Sequence, residues 1–512
     1  MSLWRWVAIV VLAGLALWLA GRAAFPVPST KGRPAESAIP FDPDSPLGRR
    51  AVEAQDAHPG KSGVIPLADP VAALDSRLHL ARGALQSLDV MYYIWHDDLS
   101  GMLLLEALRD AAARGVRVRL LLDDNGIKGM DSMLAALNAL PDFDVRLFNP
   151  STIRSPKFAG YLLGPLRMNR RMHNKAFIVD GAAAIVGGRN IGDEYFALGD
   201  VPPYLDLDVI GLGHVVADTA AVFDEYWNSA PVIELERIIP GPGDMADFEA
   251  ALARARALPQ AARFSPGEDT PSAQMMRGAA ETEWTDVQVV ADDPMKGAGG
   301  LPLEGLMISR LASILGQVDR SMDMISAYFV PGRKGAEFFG ALAESGAEVS
   351  ILTNSWMATD VPLVHAGYIK YRRELLESGV TLYELRPLEG QPQGREELNR
   401  FGSSGASVHA KTFAIDDRRV FVGSFNFDPR STLLNCEMGF LIDSPTLAQG
   451  GRMAVEGLGL RSYQPMLRGG NMIWREIGAD GKVVIHEREP GLGLKDRIAV
   501  YVLNILPIEW LL

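Results

Sequence analysis

Two stretches of this 512-residue chain carry the same chemically useful side chains at the same spacing. They are RMHNKAFIVDGAAAIVGGRN, residues 171–190, and VHAKTFAIDDRRVFVGSFN, residues 408–426. Each member of the second set lies 236 positions after its counterpart: His173, Lys175, Asp180, Gly187 and Asn190 in the first stretch, and His409, Lys411, Asp416, Gly423 and Asn426 in the second. A constant offset over five positions indicates an internal repeat.

The combination of imidazole, ammonium and amide groups suits the cleavage of a phosphate diester. Lysine and amide donors can hold the non-bridging oxygens, and a histidine can attack phosphorus to form a covalent intermediate. Because in-line displacement puts nucleophile and leaving group on opposite sides of phosphorus, one histidine cannot serve both. We therefore predict that each stretch supplies half of one active site, about a pseudo-two-fold axis. Cationic side chains replace a metal, and neither a metal nor a cofactor is expected.

The segments AFIVD (176–180) and TFAID (412–416) are typical of strands. Side chains two residues apart on a strand share a face, so His173 and Lys175 are predicted to point the same way. Asp180 is an odd number of residues from His173 and is predicted to face away from it and brace the following turn. The second stretch repeats this arrangement.

A catalytic histidine normally needs a carboxylate or carbonyl on its other nitrogen. The candidates are Asp206 in YLDLDVIG and Glu437 in LLNCEMGF, which lie 33 and 28 residues after His173 and His409, respectively. The alternative for both acids is a carboxylate that is satisfied within the core.

Three polar residues, Asp123, Asp124 and Asn125, follow a segment that is typical of a buried strand. They either line the site at the carboxyl end of that strand or form a cap or turn. Asp123 and Asn354 fall at matching places, each eight residues after the glycine that ends a helix. Four further residues are assigned to the core: Tyr92, Tyr93, Trp95 and Cys436, the last as an inert thiol.

The order of elements indicates an α/β fold in both halves. A strand, a helix and a strand are predicted at 88–98, 101–115 and 116–126, and again at 322–330, 335–346 and 347–355. The predicted organisation is a membrane anchor or signal segment (1–21), a flexible tether (22–69), a first domain (70–230), an interdomain connection (231–300), a second domain (301–450) and a C-terminal extension (451–512).

Both ends of the chain are apolar. The N-terminal run from Trp6 to Gly21 has 16 uncharged residues, or 19 from Ser2 onward if Arg5 snorkels. It is interpreted as an uncleaved anchor, a cleaved signal peptide or a buried helix. The tail RIAVYVLNILPIEWLL (497–512) is too short and interrupted to span a bilayer. It either lies in the membrane interface or packs on its domain as an ordinary terminal element.

Composition narrows the function further. Hydrophobic residues make up 48% of the chain, enough for sizeable cores, and the net charge of −13 argues against a nucleic-acid partner. The single cysteine excludes an internal disulfide.

The pattern HxKxxxxDxxxxxxG[GS]xN, present twice, resembles the signature of the phospholipase D superfamily. Segments such as YYIWHDDLSG, NRRMHNKAFIVDG, GSFNFDPRSTLLNCEMGF and ILPIEWLL resemble bacterial cardiolipin synthases of the third type, over roughly residues 70–512. The resemblance implies two α/β/α sandwich domains packed as an intramolecular pseudodimer. Gly188 departs from the broad superfamily pattern, in which serine is usual and which Ser424 follows in the second copy.

The resemblance also implies an activity at the bacterial inner membrane. A membrane-associated phosphatidyltransferase would join phosphatidylglycerol to a phosphatidyl donor, phosphatidylethanolamine or phosphatidylglycerol, through a phosphohistidine. Superfamily precedent favours His173 as the nucleophile. The implied catalytic residues are His173, Lys175, Asn190, Asp206, His409, Lys411, Asn426 and Glu437. The implied structural residues of the motifs are Asp180, Asp416, Gly187, Gly188, Gly423 and Ser424.

Other functions remain open at this point. The same site with water as acceptor would make a phospholipase D hydrolase. A phosphodiesterase acting on nucleic acid is opposed by the net charge, and an inactive membrane scaffold is opposed by the presence of both histidines and both lysines. The expected partners are phospholipids and the membrane; a protein partner, the oligomeric state and the membrane side of the site stay open.

Overall fold

The repeat in the sequence corresponds to two similar sheets, each covered by helices. A computed structural model describes residues 3–199, 203–263, 269–387, 407–478, 480–505 and 509. The first part comprises α1 (Leu3–Ala24), α2 (Pro46–Ala57), β1 (Ser62–Leu67), α3 (Pro70–Gly83), β2 (Ser87–Ile94), α4 (Leu99–Ala113), β3 (Arg117–Gly126), α5 (Asp131–Asn138), β4 (Phe143–Phe148), α6 (Ala159–Leu163), α7 (Pro165–Met168), β5 (Ala176–Val179), β6 (Ala183–Gly187), β7 (Asp208–Gly213), α8 (His214–Asn228) and β8 (Val232–Glu234).

The second part begins with a helical connection and then repeats the pattern. It comprises α9 (Met245–Arg256), α10 (Pro259–Arg263), α11 (Pro271–Arg277), β9 (Glu283–Thr285), β10 (Val287–Ala291), α12 (Met307–Leu315), β11 (Ser321–Ser326), α13 (Gly332–Glu344), β12 (Glu348–Asn354), α14 (Pro362–Glu377), β13 (Thr381–Leu385), β14 (Lys411–Ile415), β15 (Arg419–Gly423), α15 (Pro429–Leu433), β16 (Met438–Asp443), α16 (Pro445–Gly459), β17 (Ser462–Arg468), β18 (Asn471–Ile477), β19 (Val483–His486) and α17 (Leu494–Ile505). Short 3-10 helices occur at Asp193–Tyr195, Leu235–Arg237, Pro294–Gly297 and Leu303–Gly305.

The two sheets share the order of their central strands. Within the described residues, the first sheet runs β8-β4-β3-β2-β5-β6-β7-β1-β9 and the second runs β10-β16-β15-β14-β11-β12-β13-β17-β18-β19. In each, three parallel strands (β2, β3 and β4, or β11, β12 and β13) adjoin an antiparallel group that begins with the strand after the histidine motif. Parallel strands connected through helices give the predicted α/β fold with two related domains.

Each sheet has helices on both faces: α4 and α8 pack on opposite faces of the first sheet, and α13 and α16 on opposite faces of the second. The two sheets also share a core between them. Val186 and Val209 of the first sheet belong to the same apolar cluster as Val422 and Phe440 of the second. The two sheets come close together at Gly211, where a Cβ would lie 3.0 Å from Phe440 Cε2. This shared core joins the two sheets through β6 and β7 of the first and β15 and β16 of the second.

The predicted domain boundaries need three corrections. The segment predicted as a flexible tether is tied to the first domain. There the Arg33 guanidinium donates to the Val232 carbonyl (2.7 Å), and β1 pairs with β7 along its whole length. The segment predicted as a connection contributes β8 and β9 to the first sheet and β10 to the second. The predicted C-terminal extension continues the second sheet through β17. Backbone pairing at sheet edges decides all three, and the local sequence there is too short or too rich in proline and glycine to reveal it.

The apolar ends differ in their surroundings. In the described part of the chain, Trp4–Ala24 is the helical run long and apolar enough to cross a membrane, and none of it is buried. In α17, Val500 packs with Trp356 and Ala366, while Leu494, Ile498 and Tyr501 are exposed. The last residues of the predicted tail, 506–508 and 510–512, lie outside the described residues.

Candidate active site

Two short backbone bridges between the domains bring the histidines together. The His173 N–H donates to the Cys436 carbonyl at 2.8 Å, and in the matching bridge the His409 N–H donates to the Leu205 carbonyl at 2.9 Å. Each acceptor immediately precedes the predicted orienting carboxylate of its own domain. The bridges therefore set that carboxylate beside the histidine of the other domain.

Each histidine is oriented by a buried carboxylate from the opposite half. His173 Nδ1 lies 2.8 Å from Glu437 Oε2, and His409 Nδ1 lies 2.6 Å from Asp206 Oδ2. The prediction that these two acids contact the histidines is confirmed; the sequence left the pairing open, and the structure pairs each acid with the histidine of the other half. With Nδ1 engaged by a carboxylate, Nε2 is the nitrogen available to substrate.

Burial controls the protonation of these pairs. Burial alone would raise the pKa of Asp206 and of Glu437, but the nearby histidines and lysines hold both pKa values below the ordinary range. Burial, reinforced by the lysine charges, lowers the pKa of His173 to about 4 and that of His409 to about 3. In the substrate-free site both imidazoles are therefore neutral at pH 7.

The two motif lysines lie close to these rings. Lys411 Nζ is 2.9 Å from Nδ1 and 3.2 Å from Nε2 of His409, and Lys175 Nζ donates to the His173 carbonyl at 2.6 Å. Burial lowers the pKa of Lys411 to about 8. It lowers that of Lys175 well below the ordinary value, and the Lys411 charge adds to the shift. Two cations in so little space suit an anionic ligand that neutralises both.

The two motif asparagines occupy matching positions in the cavity wall. Asn190 Oδ1 accepts the Ile94 N–H (3.3 Å), and Asn426 Oδ1 accepts the Tyr328 N–H (3.4 Å). Because the backbone holds each amide oxygen, the NH₂ group is the end that can donate to a substrate.

The histidines open into a cavity of about 610 Å³ between the domains. Tyrosines form much of its wall: the Tyr93 ring lies 5.1 Å from the His173 ring, and Tyr195 and Tyr204 lie 5.1 and 5.3 Å from the His409 ring. The size is in the ordinary range for small-molecule sites. A headgroup and its phosphate fit such a space.

The pseudo-symmetry breaks at the rim of the cavity. Glu194 and Arg430 stand 236 positions apart, so they occupy matching places with opposite charge. Glu194 Oε1 lies 3.4 Å from His96 Nδ1, and its hydrogen bond raises the pKa of His96 although burial opposes the shift. The Arg430 guanidinium donates to the Asn169 carbonyl at 3.2 Å.

The family described as "Cardiolipin synthase, PLD-like domain" matches residues 77–200 and 311–454. The chain belongs to this family. It is 44% identical over 460 residues to cardiolipin synthase C of Escherichia coli strain K12, covering 89% of this chain and 97% of that protein. It is 25% identical over 390 residues to a cardiolipin synthase of Listeria welshimeri, covering 75% of this chain and 67% of that protein. The crystal structure of phosphatidylserine synthase from Haemophilus influenzae Rd KW20 shares the fold, with a TM-score of 0.56 and 14% identity over 90% of this chain and 100% of that one.

In this family member the motif aspartates are turn-forming residues, as predicted. The Asp180 carboxylate accepts the backbone N–H groups of residues 85–87, and Asp416 accepts those of residues 319–321. Both aspartates adopt a left-handed backbone conformation, with φ of 50° and 56°. Each aspartate ties the end of its motif strand, β5 or β14, to the start of the adjacent antiparallel strand, β2 or β11.

The motif glycines are required by close strand approach. A Cβ at Gly187 would lie 2.5 Å from the Asp208 Cα, and a Cβ at Gly423 would lie 2.4 Å from the Met438 carbonyl oxygen. No side chain fits in either place without displacing backbone.

The departure at Gly188 has a structural reason. A Cβ there would lie 2.1 Å from Asp206 Oδ1, which accepts the Leu207 N–H at 2.8 Å. In the second half the Ser424 hydroxyl accepts the matching Met438 N–H at 3.0 Å and donates to Glu437 at 2.5 Å. A short aspartate folded back on its own backbone thus replaces a serine combined with a longer glutamate.

Two residues that the sequence placed at matching positions, Asp123 and Asn354, hold the histidine segments, a role that sequence reasoning did not predict. Asp123 Oδ2 accepts the N–H of Met172 at 2.8 Å, and Asn354 Oδ1 accepts the N–H of Val408 at 3.0 Å. Each acceptor therefore fixes the residue just before a histidine. The equal spacing of these two residues after a helix-ending glycine was the sequence feature that pointed to them. Neither side chain lines the cavity.

Asp124 and Asn125 also stand apart from the reacting groups. Asp124 accepts the Ser151 N–H (2.8 Å) and pairs with Arg154 (2.7 Å). Asn125 donates to the Tyr93 hydroxyl (3.4 Å). Asp124 thus anchors the loop that precedes the histidine motif.

Of the residues assigned to the core, one is misplaced. Tyr92, Trp95 and Cys436 are fully buried, and burial raises the pKa of the Cys436 thiol to about 12, as expected for an inert thiol. Tyr93 instead lines the cavity, with its ring 5.1 Å from that of His173.

Proposed function

We propose that this protein is a membrane-associated phosphatidyltransferase that forms cardiolipin from phosphatidylglycerol and a second phospholipid. The observation that carries the proposal is the pair of histidines, each with a buried carboxylate on Nδ1, that open into one cavity. A two-step transfer through a covalent phosphohistidine needs this arrangement. Family membership and the 44% identity to Escherichia coli cardiolipin synthase C support cardiolipin as the product.

In the first step we assign the attack to His173. Its Nε2 forms a bond to phosphorus while the bond from phosphorus to the headgroup oxygen breaks, and His409 Nε2–H gives its proton to that oxygen. Because the pKa of His409 is low in the empty site, the anionic phosphate must raise it, so the proton is taken up as substrate binds. Glu437 stabilises the charge that develops on His173.

The second step reverses the first with a new alcohol. A glycerol hydroxyl of phosphatidylglycerol gives its proton to His409 Nε2, its oxygen bonds to phosphorus, and the phosphorus–nitrogen bond to His173 breaks. Lys175 and Lys411 neutralise the non-bridging oxygens throughout, and Asn190 and Asn426 can donate to them.

The rim charges support this assignment of roles. Glu194 directly precedes Tyr195, whose ring packs edge-on against His409. An ethanolamine headgroup carries an ammonium, which carboxylates and tyrosine faces attract. A departing ethanolamine therefore belongs at His409, which supports His173 as the attacker and phosphatidylethanolamine as the donor.

We also infer that α1 holds the protein in the bacterial inner membrane. Trp18 and Arg22 stand near its carboxyl end, with the guanidinium 4.9 Å from the indole centroid. Tryptophan and arginine at the end of an apolar helix are typical of the membrane–water interface.

The test is lipid analysis of a cardiolipin-deficient bacterium that expresses the chain. Cardiolipin should appear with the wild type and be absent with His173→Ala or His409→Ala at equal protein levels. Headgroup-labelled phosphatidylethanolamine should release ethanolamine in step with product. Accumulation of phosphatidic acid instead of cardiolipin would make the enzyme a hydrolase, with water as the acceptor.

A further inference from the structure

The candidate membrane helix contacts one short segment of the first domain, residues 158–168, here called the rim segment; it contains α6 and α7. The Trp18 indole N–H donates to the Leu162 carbonyl at 3.1 Å. Gly21 lies so close that a Cβ there would come 2.8 Å from Leu163 Cδ2. The last turns of α1 therefore lie against α6.

The same rim segment is connected to the wall of the active-site cavity at two points, one within it and one at the residue that follows it. The Tyr161 hydroxyl donates to Asn125 Oδ1 (3.1 Å), and Asn125 Nδ2 donates to the Tyr93 hydroxyl (3.4 Å) in the wall. Just beyond α7, the Asn169 carbonyl accepts from Arg430, which also lines the cavity. The segment thus connects α1 to the mouth of the site.

The rim segment exposes large apolar side chains to solvent. Phe158, Leu162 and Leu166 are 68%, 68% and 63% exposed. Exposed apolar clusters on a protein surface mark interaction sites. A helical segment that exposes such side chains suits the boundary between headgroups and acyl chains. Continuity with α1, whose Trp18 touches Leu162 itself, indicates a bilayer as the occupant.

We propose that the rim segment enters the headgroup–acyl boundary of the bilayer beside α1, so that the active-site cavity opens onto that same leaflet. This rests on the proposed function insofar as α1 is taken to be in the membrane. Donor and acceptor lipids then reach the histidines by raising only their headgroups. Water competes less well as an acceptor, because the mouth is closed by lipid.

A fluorescence experiment tests the contact directly. Leu162→Cys in the full-length protein is labelled with an environment-sensitive dye and reconstituted into vesicles of phosphatidylethanolamine and phosphatidylglycerol; the native Cys436 is buried and does not compete. The control is Met453→Cys on α16, a side chain 69% exposed. We expect blue-shifted emission and quenching by nitroxide lipids at position 162, and neither at 453.

Emission at 162 that matches the value at 453 would overturn the proposal. A blue shift without quenching by nitroxide lipids would overturn it too, because the cover would then be protein, such as a second copy of the chain. These readouts need no activity. A chain that inserts position 162 but transfers no phosphatidyl group would disprove the proposed function and leave the rim contact standing.

A second experiment measures how the rim segment affects activity. The triple variant Phe158→Ser, Leu162→Ser, Leu166→Ser should lose at least tenfold in activity on vesicles and keep its activity on a monomeric short-chain phosphatidyl substrate. The matched control is Met453→Ser, Leu460→Ser, Val483→Ser, whose native side chains are also exposed; it should lose neither activity. Equal losses of the rim variant on both substrates, or no loss on vesicles, would contradict the proposal.

Discussion

The two halves of the active site agree in their backbone and differ in the groups that meet substrate. In both, a buried acceptor holds the residue before the histidine, a motif aspartate holds three N–H groups, and a glycine allows close strand contact. In contrast, Glu437 with Ser424 serves His173, whereas Asp206 with Gly188 serves His409. The rim is acidic at Glu194 and basic at Arg430. In the mechanism we propose, the framework that the halves share aligns two nitrogens on one phosphorus, and the groups that differ let the halves perform different steps.

The sharpest test of that difference is removal of each histidine. His173→Ala and His409→Ala should each lower transfer by about 10³-fold or more, and the double variant should lose little further, because the two act as one unit. With an activated leaving group such as p-nitrophenol, His409→Ala should regain a burst of product while His173→Ala should not. Burst kinetics and trapping of the phosphohistidine measure this. A burst in His173→Ala would reverse the roles.

The crossed carboxylates extend the same comparison. Asp206→Asn and Glu437→Gln keep the shape of the side chain and remove its charge, and each should cost about 10²-fold or more. Because Asp206 orients His409, which acts as the acid, a substrate with an activated leaving group should restore most of the rate lost in Asp206→Asn but not the rate lost in Glu437→Gln. Single-turnover rates on the two substrates measure this. If the activated leaving group restored the rate of Glu437→Gln and not that of Asp206→Asn, the crossed pairing would be contradicted.

The dependence on pH separates the histidines from the lysines. The pKa values of His173 and His409 are about 4 and 3 in the empty site, so no acid limb is expected near 6.5. Because His409 must gain a proton as substrate binds, kcat/KM should fall about tenfold per unit as pH rises from about 4. Burial lowers the pKa of Lys411 to about 8, so the fall should steepen by about a further tenfold per unit above that value, where the cation is lost. A kcat/KM profile from pH 4 to 10 checks both limbs. An alkaline limb near 10.5 would show that Lys411 is not perturbed.

Gly188 and Ser424, the residues after the two motif glycines, should differ in how strongly their substitution lowers the rate. Gly188→Ser forces a side chain against Asp206 and should lower kcat by about tenfold or more through a tilted His409. Ser424→Gly removes a hydrogen bond to Glu437 and should cost about three- to tenfold. Rates corrected for folded protein by circular dichroism compare them. Equal effects would show that the two positions are interchangeable.

The smallest effects are expected at the rim. Glu194→Gln should raise KM for phosphatidylethanolamine by about fivefold, as expected for a partly exposed charge, and change KM for phosphatidylglycerol less. Arg430→Gln should act on both lipids alike. Competition between the two labelled donors measures the ratio. A selective effect of Arg430→Gln on phosphatidylethanolamine would undo the assignment of ethanolamine to the Glu194 side.

The sequence by itself determined the features that depend on local spacing. The constant offset of 236 predicted two related α/β halves, and strand parity predicted that Asp180 turns away from His173 to brace a turn. These inferences hold because residue alternation along a strand and the matching of repeats are properties of the chain itself. Asp206 and Glu437 do not share that offset and were found as acids in the segments YLDLDVIG and LLNCEMGF, which follow the two motifs.

Only the tertiary structure decided which carboxylate meets which histidine. The crossing arises where the carbonyls of Leu205 and Cys436 accept from the other domain's histidine segment, and no local pattern encodes a contact over more than 200 residues. Three further features were also settled there: the pairing of β1 with β7, the backbone contacts of Asp123 and Asn354, and the aspartate that takes the place of a serine hydroxyl at Gly188. All depend on which backbone groups remain to be satisfied once the two sheets have packed, and that requirement exists only in the folded chain.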